Sequence, residues 1–341
     1  MLDFNDLFED KTKYGTKLKT DQYQENGKNI IVDQGQNDIA GYTNMEKGLF
    51  TDVPAIIFGD HTRVVKYIDQ PFFLGADGTK ILKSKYQDAN YKYLYYALKY
   101  IKIPNTGYNR HYKWLKELKF KYPAKEEQKQ IVFILDKIGY LIQKNNSQLE
   151  LLDELIKARF VEMFGEPILN DKGWETKRLL ELGKFKNGMN FRIGESGVNM
   201  HCLGVGDFKD RLEISDMSML PKISLNKIPP EEVMLKNGDI VFVRSNGNKM
   251  LVGRCLVIYP GDIPTTYSGF CIRFRKEGRC VDTTYLIHLL KANSIRSKIT
   301  GRGANIQNLN QQILGAVKIP IPPIELQLEF KKFIKQVDKS R

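Results

Sequence analysis

Tyr122 to Leu141 reads YPAKEEQKQIVFILDKIGYL, and Ile321 to Lys339 reads IPPIELQLEFKKFIKQVDK. Pro123 and Pro322, Glu126 and Glu325, and Gln128 and Gln327 each stand 199 residues apart, so one proline-led helix opening is written twice. The duplication extends upstream, where YLYYALK at Tyr93 to Lys99 returns as YLIHLLK at Tyr285 to Lys291. A period of about 200 residues is too long for a solenoid and fits two related domains in tandem. Each domain is followed by a helix, an arrangement suited to holding two heads apart.

The segment between the two copies is the most regular of the chain. From Ile131 a heptad seam places Ile131, Ile138 and Leu152 at d and Leu135, Ile142, Leu149 and Ile156 at a, with Asn145 at the remaining d position. One polar seam residue costs stability and fixes register. A helix from Lys125 to Phe164 spans roughly 60 Å at 1.5 Å per residue, a DNA-relevant length. The competing reading is an amphipathic helix packed on a globular core. In the second copy the matching seam residues Phe330, Ile334 and Val337 are soon followed by Arg341. At most about 18 residues there, near 27 Å, can pair with the first helix.

Composition narrows the partners. The chain has 341 residues, enough for two domains with separate cores, and a net charge of +13 that favours a polyanion. No run of roughly 18 apolar residues is present to span a bilayer, and the opening MLDFNDLFED is acidic where a secretion signal is basic. A cytoplasmic protein is expected. Cys202, Cys255, Cys271 and Cys280 lack zinc-site spacing and read as reduced, mostly buried thiols.

Both units show the same order of elements. Unit one opens with polar, loop-rich sequence to about Met45. Short apolar runs follow at Ala55–Phe58, Val64–Ile68 and Phe72–Leu74, punctuated by Gly and Asp as strands joined by tight turns are. A helix is expected at about 90–101, then a Gly/Asn turn and the basic, aromatic stretch RHYKWLKELKFKYP. Unit two supplies strands at 238–243, 254–259 and 270–275 and a helix over 283–298. The fold class is α+β: two tandem mixed α/β domains separated by long helices, with boundaries at 1–122, 123–168, 169–320 and 321–341.

Together these features identify a resemblance. The two Pro-x-x-Glu-x-Gln openings (PAKEEQ and PPIELQ), RFVEMFGEP at Arg159 to Pro167, and Trp174 in WETKRLLELG resemble specificity subunits of type I restriction-modification systems. So do the segments GLFTDVPAIIFGDHTR and NTGYNRHYKWLKE, which are similar to one subclass of first target recognition domain. The order and doubling of these motifs make the match specific. The resemblance implies that each recognition domain reads one half of a split double-stranded DNA site and that the conserved helices form an antiparallel coiled coil setting the gap. It further implies two modification (methyltransferase) subunits docked along those helices, and restriction motor subunits beside them. S-adenosylmethionine, and ATP with magnesium, would then belong to those partners, leaving this chain without cofactor, metal or catalytic residue. Two departures stand out: the first domain begins at Leu2-Asp3-Phe4 without an upstream tryptophan, and the distal helix is shorter than the family's. With antiparallel pairing, that helix covers the end near Leu152 and Ile156 and leaves Ile131 to Ile142 bare. A modification subunit, a second copy or a separately encoded helix is expected to cover these side chains, each worth about 1.5 to 3 kcal/mol when buried. A short distal helix also fits an alternative, a regulatory chain that binds modification subunits without directing them.

Base readout needs paired donors and acceptors: arginine for guanine, asparagine or glutamine for adenine, with lysine and arginine on phosphates. In unit one the richest loops carry His61 and Arg63, then Asn109, Arg110, His111 and Lys113. In unit two they carry Arg244, Asn246, Asn248 and Lys249, then Arg302, Asn305, Gln307 and Asn308. The second loop of each unit occupies the same place before the duplicated helix. Asn and Gly in 244–249 equally fit a hairpin turn, and Arg110 and His111 equally fit a cap on the preceding helix. Catalysis has little support: Asp60-His61 and the pair Asp239 and Glu277 are the only suggestive carboxylate sets, four histidines are scattered, and no Gly-x-Gly-x-x-Gly or ATP-binding loop occurs.

Overall fold

The computed structural model describes the whole chain apart from residues 76, 105, 106, 108, 193 and 301–308 and the side chains of Lys249 and Thr300. It divides into two compact units, 1–146 and 147–341, and the division falls inside one long helix.

Unit one is built on a four-stranded antiparallel sheet in the order Phe8–Asp10, Thr79–Ser84, Ala55–Gly59, Val65–Ile68. A three-stranded sheet runs Gly41–Thr43, Asn29–Val32, Phe72–Leu74, and its last pair is parallel. Leu2–Asp3 pairs with Lys119–Phe120, next to the long helix. Unit two repeats the whole plan. Gly183–Asn187, Cys271–Lys276, Asp239–Val243 and Cys255–Ile258 form the large sheet in the same order, extended by Glu213–Ile214. Lys222–Leu225, Val198–Leu203 and Thr265–Tyr267 form the small sheet, again with one parallel pair, and Thr176–Arg178 pairs with Lys318–Pro320. In both units the central strand is fully buried, Ala55–Gly59 in one and Asp239–Val243 in the other, and apolar but for Asp239.

The duplicated motifs make duplicated bonds. The helix Tyr91–Lys99 is capped by Asn90, whose side chain accepts from Tyr93 N, and the helix Thr283–Lys291 by Asp282, which accepts from Thr284 N. Tyr93 donates its hydroxyl to Lys121 O at 2.7 Å, and Tyr285 to Pro320 O at 2.9 Å, so each helix ties down the strand ahead of the proline-led opening.

Two expectations change. The first 45 residues carry four strands and a short helix, Phe4–Leu7, where loops were expected. Those strands are two to four residues long and pair with distant partners, such as Phe8 with Ser84 and Ile30 with Phe72, so tertiary pairing outweighs local pattern. The helix expected over 283–298 is broken: Ala292 is extended (φ −57°, ψ 135°), and a new helix starts at Asn293, with Asn and Ser, both favoured at helix starts, in its first two positions.

The helix Lys125–Phe164 is continuous over 40 residues. Its end is closed by the motif that marks it in the sequence. Gly165 takes φ +78°, a conformation glycine adopts at no steric cost, and donates to Val161 O, while Trp174 Nε1 donates to Phe164 O at 2.9 Å. In unit two the last turns pair with the helix Ile324–Asp338. Phe330 meets Phe160 and Phe164 with ring centroids 5.5 and 5.4 Å apart, Arg159 binds Glu329 at 3.2 Å, and Arg341 binds Asp153. One helix ascends in number as the other descends, so the pair is antiparallel, with Ile156 buried and Leu152 partly so.

The bare stretch begins later than Ile131. Ile131 and Val132 lie on unit one's own core, and Leu135 is half-buried. Asp136 fixes this end, accepting from Lys92 at 2.8 Å and from Tyr96 at 2.7 Å. From 137 to 151 every residue is exposed, seam residues Ile138, Ile142 and Leu149 among them, so this part of the helix is not packed on a globular core.

Candidate nucleic-acid interface

In each unit the central strand delivers the chain to a loop, and one backbone hydrogen bond ties the strand end to a residue far along the chain, before the duplicated helix. In unit one the strand Ala55–Gly59 runs into Asp60, whose carbonyl accepts from His111 N at 2.7 Å. In unit two Asp239–Val243 runs into Arg244, whose carbonyl accepts from Leu309 N at 2.8 Å. In unit one the two loops therefore meet at the end of a buried strand, and in unit two the same strand end is tied to Leu309, the residue that follows 301–308 in sequence, a placement that holds side chains precisely.

Unit one adds a second tie. Asp60 is buried, and its carboxylate accepts from Tyr112 N at 2.7 Å, at the start of the short helix Tyr112–Lys116. His111 is also fully buried, with Nδ1 3.0 Å from Asp60 O. His111 is thus a latch between loops and is withdrawn from the groove-facing set: a ring with no exposed surface cannot reach a base edge. Burial, with Asp10 close by, raises the Tyr112 phenol above its usual range, so it stays protonated beneath the loop. Gln34, to which the sequence drew no attention, steadies the first loop by accepting from His61 N at 3.1 Å and donating to Asp77 O at 2.7 Å, while Thr62 donates to the Gln34 carbonyl. A glutamine within a loop carries no pattern by which sequence reading finds it.

The remaining unit-one candidates divide by exposure. Asn109, Arg110 and Lys113 are exposed, Lys113 with its ammonium 4.8 Å from the Trp114 ring centroid. His61 is half-buried. Arg63, at φ +61°, is half-buried and donates to Ile103 O at 3.3 Å. In unit two Asn246 and Asn248 shape their own loop: Asn246 Oδ1 accepts from Asn248 N at 2.8 Å, and Asn248 Oδ1 from Met250 N at 3.0 Å. Arg244 is half-buried beside Gly269 O, and Asn248 is exposed. The side chain of Lys249, and all of Arg302, Asn305, Gln307 and Asn308, lie outside the described residues.

The carboxylates that suggested chemistry are engaged elsewhere. Asp60 caps a helix; Asp239 pairs with Arg275 at 2.7 Å; Glu277 pairs with Lys184 at 2.7 Å. Among the described residues no three His, Cys, Asp or Glu side chains are grouped to hold a metal ion, and no helix is long and apolar enough to cross a membrane. Cys202, Cys255 and Cys271 are buried and Cys280 is exposed, all as free thiols.

A doubled α+β unit whose central strand ends in the same long-range backbone tie in each copy defines a two-headed fold. The profile of one family, the type I restriction modification DNA specificity domain, matches residues 3–151 and again 171–341, and the chain belongs to that family. It is 26% identical over 272 residues to the type I restriction enzyme MjaVIII specificity subunit of Methanocaldococcus jannaschii, covering 72% of this chain and 63% of that protein. It is also 26% identical to the StySPI specificity subunit of Salmonella potsdam over 236 residues, 63% of this chain and 49% of that protein. The chain thus spans less than two thirds of the length of these relatives. The crystal structure of a type I restriction-modification S subunit from M. genitalium superposes with a TM-score of 0.60 at 18% identity, over 99% of this chain and 89% of that one, and shares the fold.

Proposed function

We propose that this chain is the DNA-reading subunit of a cytoplasmic type I restriction-modification complex. Each unit reads one half of a split double-stranded target through its pair of loops, and the central helix sets the gap between halves. The observation that carries this reading is the repeated backbone tie, Asp60 to His111 and Arg244 to Leu309, at the end of the same strand in both units. A surplus of positive charge supplies attraction to phosphates without regard to sequence. Two modification subunits dock along the exposed helix face, restriction motor subunits join them, and S-adenosylmethionine, ATP and magnesium belong to those partners. The chain itself has no catalytic role in this scheme.

Mapping methylated bases in cells with and without this gene, in the presence of the modification subunit, tests the proposal. Methylation at a two-part sequence that vanishes with the gene is the expected result. An unchanged methylation map refutes it, and increased methylation on removal favours the regulatory alternative, for which the exposed helix face is the supporting observation. Docking has its own test: Ile142→Asp should leave the melting temperature of the free chain almost unchanged and abolish co-elution with the modification subunit.

A further inference from the structure

Unit two contains a concave cationic site distinct from the reading loops. A cavity of about 70 Å³ is bounded by Lys209, Arg254, Lys291 and Arg296, with Asp210 the one carboxylate among its lining residues. A buried water needs roughly 10 to 15 Å³ of such space, so the cavity has room for about five heavy atoms, the size of a phosphate group.

Three of the cations are held by backbone carbonyls. Arg254 Nη1 donates to Lys209 O at 2.9 Å and to Asp210 Oδ1 at 3.2 Å. Lys291 Nζ donates to Arg211 O at 2.7 Å and to Asp210 O at 3.4 Å. Arg296 Nη2 donates to Met250 O. Lys209 takes φ +41°, an uncommon conformation for lysine that this carbonyl-rich turn maintains. Burial is the main reason the Lys291 ammonium sits below the usual lysine range, and Arg254 and Arg296 push it the same way. Burial also pushes the Cys255 thiol up to about 12, so it remains neutral and contributes no counter-charge. Four cations facing one exposed carboxylate are relieved by an anion, and a guanidinium fork suits the oxygens of a phosphate.

The position of the cavity selects the source of that anion. Met250 and Arg254 directly follow the loop 244–249, and the helix Asn293–Thr300 that bears Arg296 leads straight into residues 301–308. We propose that the cavity formed by Lys209, Arg254, Lys291 and Arg296 seats one backbone phosphate of the duplex whose bases the adjoining loops read. The proposal rests on the DNA-reading function above and adds a phosphate anchor that fixes register without carrying sequence information.

The test measures duplex DNA binding by the full chain across a salt series. Because Arg254 and Lys291 also hold the 209–211 turn, the variants are Lys209→Gln, Arg296→Gln and the two combined. The slope of log affinity against log salt should fall by about 1 in the combined variant, equally for all duplex sequences, with base preference intact. A scan of duplexes carrying single neutral methylphosphonates supplies a readout on the wild type: one position should weaken its binding several-fold and have no effect on the combined variant. Unchanged slopes with identical scans in both proteins overturn the anchor. Inorganic phosphate protecting the wild type against heat at matched ionic strength, with the slope unchanged, assigns the cavity to a free anion and overturns it as well. A wild type that binds no duplex overturns the DNA-reading function itself, an outcome separate from loss of the anchor alone.

Discussion

The helices Lys125–Phe164 and Ile324–Asp338 open alike and then meet different surroundings. Gln128 Nε2 donates to Pro123 O at 2.9 Å, and Gln327 Nε2 to Pro322 O at 2.7 Å, so the shared motif folds back on itself in both copies. Gln327 also donates to Cys280 O and accepts from Asp282 N, while Gln128 Oε1 has no partner among the described residues. Further along, Phe330, Ile334 and Val337 are buried in unit two's core, whereas Ile138 and Ile142 are 45% and 57% exposed. The same heptad pattern thus serves as core along one helix and, from 137 to 151, as open surface in the other. A seam encodes an apolar face, and the surroundings decide what covers it.

The largest effect should separate the two seams directly. Phe330→Ala removes a fully buried ring packed on Phe160 and Phe164 and should cost about 3 to 5 kcal/mol in chemical denaturation. Ile142→Ala, on the bare seam, should change stability by less than about 0.5 kcal/mol. Equal losses would show that the bare stretch is packed in the free protein and would break the comparison.

Acid should act on the buried seam next. His288 packs edge-on against Phe330, and burial lowers its pKa from 6.5 to about 4, with Lys291 and Arg341 acting in the same direction. The unfolded chain therefore takes up a proton that the folded chain refuses. The stability linked to His288 is complete above about pH 6.5 and is lost as pH falls towards 4, a difference of about 3 kcal/mol. His288→Leu should flatten this part of the stability curve, as followed by denaturant titrations between pH 7 and 4. A slope identical to wild type would place the histidine in water.

The smallest effect sharpens the contrast at the shared motif. Gln327→Ala removes a fully buried amide and strands the half-buried Asp282 N, and should cost about 1 to 3 kcal/mol. Gln128→Ala removes the bond to Pro123 O, without the further bonds that Gln327 makes to Cys280 and Asp282, and should cost visibly less by the same measurement. Matching values would mean that the motif, not its neighbours, sets the energy.

Much of the fold was legible because it was written twice. The proline-led openings, the Tyr93 and Tyr285 helices and the central strands were placed by pattern, since helix and buried-strand periodicities are local properties. The strands before Met45 were not, because segments of two to four residues have too little pattern and are specified by distant partners. At the interface, chemistry-bearing loops were visible as Arg- and Asn-rich stretches. That His111 turns inward to Asp60 while Arg110 stays exposed was not visible, since neighbouring residues of one loop have no fixed period.

By itself the sequence determined two related α+β units, a 40-residue helix and a basic chain, because repetition, heptad spacing and charge survive in one dimension. Only the tertiary structure decided which seam residues are core, which loop residues are latches and where four cations gather around one cavity. Those outcomes depend on the burial of each side chain and on hydrogen bonds between residues far apart in the chain, and both arise only when distant segments pack together.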